Sequence, residues 1–88
     1  MNICLIVVIK NEFHNIINYL ESNKTEFDIL FIIDIDSNDN TVEIIQQWCS
    51  KSNILLTIHK SDKLILGNKC LQLARSYPNI NGFKTIDL

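Results

Sequence analysis

Residues 28–41 read Asp-Ile-Leu-Phe-Ile-Ile-Asp-Ile-Asp-Ser-Asn-Asp-Asn-Thr, and the fold turns on this stretch. It opens with an unbroken apolar run, Ile29 to Ile33. Short polar side chains follow: Asp34, Asp36, Ser37, Asn38, Asp39 and Asn40. A helix is then expected from Thr41-Val42-Glu43. A run apolar on both faces suits a strand buried within a parallel sheet. The polar cluster falls where that strand would end, and open α/β sheets bind ligands at the carboxyl ends of their strands. The stretch thus marks where a site should lie before it says what the site does.

Working outward, Ile3 to Ile9 (ICLIVVI) is a second continuous, β-branched run and predicts a buried first strand. Phe13, Ile16, Ile17 and Leu20 recur at helical spacing, with Asn11 expected to cap that helix. Ser22 to Glu26 is a polar connection. The helix after the central strand should span about 41–50. Asn40 and Glu43 resemble its capping box, and Ile44, Ile45, Trp48 and Cys49 form its buried face. Ile54 to Ile58 predicts a third strand, and His59 to Leu66 a loop. Cys70, Leu73, Ala74 and Tyr77 place a third helix over about 68–77, stopped by Pro78-Asn79. Gly82 to Leu88 begins a fourth strand. The order β-α-β-α-β-α-β predicts an α/β fold: three layers around a parallel, Rossmann-like sheet with right-handed crossovers.

Eighty-eight residues make one domain, 1–88, with about 60–65% of the unfolded surface buried on folding. An apolar fraction of 47% supports a packed core and argues against disorder. The net charge is −2 and there is no basic stripe, which argues against nucleic acid as a partner. Cys4, Cys49 and Cys70 lie far apart on apolar faces without a CxxC spacing, so buried thiols are expected rather than zinc ligands or a disulfide framework. No run approaches the ~20 apolar residues of a membrane span, and the N-terminus lacks the basic region and cleavage site of a signal peptide. A cytoplasmic protein is expected.

Several chemistries are excluded by pattern. No GxGxxG follows the first strand, and no GxxxxGK[ST] occurs. Asp34, Asp36 and Asn38 imitate an EF-hand start, but Asp39 stands where Gly is required and Ile45 where Glu is required. His14 and His59 have no partner at ligand or catalytic spacing and are expected at the surface. Two readings of the acidic cluster remain open. Asp, Asn and Ser build turns and cap helices through side-chain hydrogen bonds. Alternatively, Asp34 or Asp36 accepts hydrogen bonds from a base or ribose. Lys10 would meet a phosphate as a point charge, or simply be solvated.

Three motifs in order resemble the opening of family 2 glycosyltransferases with the GT-A fold. The first is Lys10-Asn11-Glu12, with Asn15-Ile16 and Leu20-Glu21-Ser22 beyond it, similar to a subgroup with a KNE signature. The second is Asp34 to Thr41, where Asp34, Ser37, Asp39 and Thr41 match D-S-G-S-T-D-G-T in register. The third is Asn68-Lys69-Cys70-Leu71-Gln72-Leu73-Ala74, similar to N-x-A-L-x-x-A. There are departures: Ile35 where many relatives carry a second Asp, Asp36 for Gly, and Gly67 where Arg often precedes the Asn.

The resemblance covers nearly the whole chain. It implies the N-terminal part of such an enzyme, truncated after the fourth strand, that binds a nucleotide-diphosphate sugar through Lys10, Asn11, Glu12, Asp34 and Asp36. It also implies a divalent metal, Mn or Mg, held by a D-x-D of which Asp87 would be the first Asp; the chain reads Thr85-Ile86-Asp87-Leu88 and stops. The half that supplies the acceptor site and the carboxylate base of this inverting family is not within these residues, so the chain alone is not expected to complete sugar transfer. Two rivals stand beside it. One is a non-catalytic α/β module or remnant that self-associates or pairs through an open strand edge. The other is a receiver-like phosphoacceptor domain, disfavoured because His59 sits where an Asp should end the third strand.

Overall fold

The structure, a computed structural model, describes residues 3–65, 67–78, 80 and 84–87, with backbone alone for 84, 86 and 87. The elements alternate: β1 (Ile3–Ile9), α1 (Ile16–Asn23), β2 (Ile29–Ile35), α2 (Thr41–Ser52), β3 (Leu55–Ser61), α3 (Asn68–Arg75) and a short β4 (Lys84–Asp87). The sheet order is β3-β2-β1-β4, and every pairing is parallel. This is a small α/β fold in which each helix returns the chain to the start of the next strand. Gly82, Phe83 and Leu88 of the expected fourth strand lie outside the described residues.

The strands sort their side chains by parity, as the pleat requires. Ile3, Leu5, Val7 and Ile9 with Leu30 and Ile32 pack under α1 and α2, against Ile16, Leu20, Ile45, Trp48 and Cys49. Cys4 and Ile6 with Ile29, Phe31, Ile33 and Ile35 face the other way, against Cys70 and Ala74 of α3 and Ile80. Every residue of β2 is buried, which is the cause of its apolar run from Ile29 to Ile33. All three cysteines are buried, as their apolar surroundings predict. Burial pushes the Cys4 and Cys49 thiols up to about 11. Between the helices, the Trp48 indole N–H donates to Glu21 Oε1 at 2.7 Å, and Trp48 packs beside Phe27 at a ring separation of 6.3 Å.

Several boundaries differ from the sequence expectation. β3 continues through His59, Lys60 and Ser61, which the polarity of those residues had placed in a loop. It is an edge strand with one side open, so it tolerates polar residues that a central strand would not. β2 likewise extends through Asp34 and Ile35. α1 starts at Ile16, and Asn11 is not its cap; Asn15 occupies that position without a side-chain cap bond. Asn40 also makes no side-chain cap to α2. Asp39, one residue earlier, does that work: its Oδ1 accepts both the Thr41 backbone N–H, at 3.1 Å, and the Thr41 hydroxyl. α2 runs two residues beyond the expected end and closes on Asn53 in the left-handed region, φ 57°. α3 ends at Arg75, short of Tyr77.

Candidate functional site

The carboxyl ends of β1, β2 and β3 lie level. The register places Ile9 beside Asp34, and Asp34 beside Lys60. Register partners on parallel strands project to the same face, with strands about 4.8 Å apart. Asp34 and Lys60 are therefore immediate neighbours at the top of the sheet. Asp34 is only 4% exposed, whereas Lys60 is exposed. Asp34, Asp36, Ser37, Lys60, Ser61 and Asp62 line a polar cleft of about 290 Å³.

Asp34 is the buried charge of this cleft. One oxygen accepts the Ser37 backbone N–H at 3.3 Å. The other has no hydrogen-bond donor, and the carboxylate has no ion pair, among the described residues. Its second oxygen is not sealed from solvent without a partner, as the Tyr19 hydroxyl is, and is left open to the cleft. Asp36, by contrast, is exposed at the turn after β2, in the left-handed region with φ 51°. Asp and Asn are, after Gly, the residues that most readily adopt that conformation.

The other sequence-selected residues are placed differently. Asn11, also left-handed at φ 51°, stitches the β1 and β2 loops together. Its backbone N–H donates to Ser37 Oγ at 3.0 Å, and its Oδ1 accepts the Asn38 N–H at 2.7 Å. Phe13 N–H adds a longer bond to Asp39 Oδ2, at 3.4 Å. Lys10 is exposed at the end of β1. Glu12 accepts the Asn15 and Ile16 N–H groups through its backbone carbonyl and lines a separate, apolar groove of about 410 Å³ with Val7, Val8, Ile9, Ile16 and Tyr19. The buried Tyr19 hydroxyl there meets no partner among the described residues. Asp34 and Asp36 thus share one cleft, Asn11 braces its rim, and Glu12 faces elsewhere.

Asp87 ends β4 with its backbone paired to Ile6, three residues short of the Ile9–Asp34–Lys60 row, or about 10 Å along the strand. Among the described residues, no group of three or more His, Cys, Asp or Glu is placed to hold a metal ion. They supply no metal centre, and the side chain of Asp87 lies outside them. No helix among the described residues is long and apolar enough to cross a membrane.

Lys60, Ser61 and Asp62 were missed as site residues. The signal was present in the alternation Leu56, Ile58, Lys60, which continues β3 two residues past its last aliphatic side chain. His59 was also misjudged: its Nδ1 lies 2.7 Å from the Tyr77 hydroxyl, so it joins β3 to the segment after α3. Compared with protein-family models and with curated proteins, the chain finds no match in either.

Proposed function

We propose that this chain binds the nucleotide of a nucleotide-diphosphate sugar, as the N-terminal portion of a GT-A glycosyltransferase of family 2. The observation that supports this best is Asp34, a buried carboxylate at the carboxyl end of a central strand, with an oxygen left for a ligand in a cleft of about 290 Å³. Ribose hydroxyls and base N–H groups are donors that such an acceptor takes. The sheet order reverses between β1 and β4, and ligands of open α/β sheets gather at that reversal. A nucleotide with its base or ribose at Asp34 would run its phosphates toward this reversal, where Lys10 follows β1. Of this chain's residues, Asp87 is the one that would hold a divalent metal, which would supply positive charge to the diphosphate. Asn11 serves the site by holding the two loops in place, and Asp36 is available at its rim.

Titration calorimetry with uridine diphosphate, with and without Mn²⁺, tests the proposal. Binding is expected in the micromolar to millimolar range, and Asp34→Asn should weaken it by about tenfold or more, the worth of a hydrogen bond to a charged acceptor. Absence of heat at millimolar nucleotide overturns the binding role. The second reading, an interaction module, draws support from β3, a seven-residue edge strand that opens on Leu55, 63% exposed. Concentration-dependent light scattering without nucleotide binding would favour it.

A further inference from the structure

We propose that Lys60 is a second ligand-contacting residue of the Asp34 cleft, donating to a carbonyl oxygen of the bound base, so that β3 contributes to base selection. This rests on the nucleotide-binding reading above. The register sets Lys60 beside Asp34 on one face of the sheet, and both line the same cleft. Lys60 is exposed, so closing an ion pair on Asp34 would gain little, which leaves both groups available to a ligand. No ion pair joins them, and Lys60 has no other partner among the described residues. The pair therefore stands open, with an acceptor on one wall and a cationic donor on the other.

A group that fills the gap must present a donor to Asp34 and an acceptor to Lys60. A ring N–H flanked by a carbonyl, as in uracil or guanine, meets both. Adenine carries no carbonyl, so Lys60 loses its strongest partner there. The remaining charges in the cleft, Asp36 and Asp62, make it net acidic, which disfavours a phosphate in the same place. Lys60 thus meets the base, and the phosphates lie elsewhere.

The test is titration calorimetry of uridine diphosphate and adenosine diphosphate against the wild type, Lys60→Met and Lys60→Arg, with circular dichroism to confirm folding. Wild type is expected to favour the uridine nucleotide. Lys60→Met should weaken that nucleotide by about tenfold and leave the adenosine nucleotide within about twofold, which removes the preference. Lys60→Arg should retain it. Equal losses for both nucleotides, or no loss for either, overturn the role of Lys60 and leave nucleotide binding standing. If the folded wild type binds neither nucleotide, the reading of the site and the role of Lys60 fall together.

Discussion

At the residue scale, the cleft owes its form to backbone positions that most side chains avoid. Asn11 and Asp36 both take positive φ, and the two turns they create face each other closely enough to share hydrogen bonds through Ser37 and Asn38. Gly67, like Asn53, is another such position, with φ 59° and ψ −132° just before α3. A Cβ built there meets nothing within 4 Å, so conformation, not space, requires the glycine. Gly67→Ala should therefore cost about 1–2 kcal/mol in urea unfolding although it creates no clash. An unchanged midpoint would show that the turn relaxes freely. Any L side chain at 67 would have to adopt a conformation that such residues rarely hold.

At the scale of elements, α2 is anchored at its start by Asp39 rather than by the residue that formally caps it. The Thr41 hydroxyl is the main cause that holds the Asp39 carboxyl below its ordinary value, with backbone N–H groups adding to it. A depressed carboxylate pKa contributes stability above the unfolded value, and loses it as pH falls through the folded one. Acid should thus loosen the start of α2 as Asp39 takes up a proton. Asp39→Asn should lower stability near neutral pH and flatten its fall between about pH 5 and 2, read from urea midpoints across pH. A parallel fall in the variant and the wild type would assign the acid sensitivity elsewhere, with Glu21 the next candidate. Its carboxyl is also held low, first by the Trp48 indole and then by Lys24.

The elements also show how far a single sequence reaches. β1, β2 and the stripes of α1 and α2 were legible because burial imposes its period on the side chains, as Ile3 to Ile9 and Ile45-Trp48-Cys49 show. The end of β3 was not, because His59, Lys60 and Ser61 lie on an edge strand where the sheet makes weaker demands. Asp34 was legible as a residue at a strand's carboxyl end by its place after an apolar run. Its neighbour Lys60 was not, since the two are 26 positions apart and only the strand register joins them. Cap chemistry failed by one residue, because Asp39 and Asn40 are equally suited by composition and only the turn decides between them.

At the scale of the whole molecule, two apolar layers sandwich one sheet, and the cysteines are divided between them. Cys4 and Cys70 lie on the α3 face, and Cys49 lies on the buried face of α2. With thiols pushed up to about 11, Cys4 and Cys49 are protonated at pH 8 and shielded from reagents. Labelling by an aromatic disulfide at pH 8 should thus be slow in the native protein. It should reach all three thiols together on global unfolding, with the denaturant dependence of the unfolding equilibrium. Early labelling of Cys70 alone would instead reveal that the α3 layer opens before the rest.

Trp48 is the single tryptophan of the chain, and its place gives the protein a built-in optical label. It lies seven residues beyond Thr41, about 10 Å along α2 from the end that faces the cleft. Its ring is held between Phe27 and the carboxylate of Glu21, in the layer that ties α1 to α2. Its emission therefore reports whether that layer is intact and is largely blind to what fills the cleft. Fluorescence and calorimetry on one sample then separate the loss of the fold from the loss of the ligand.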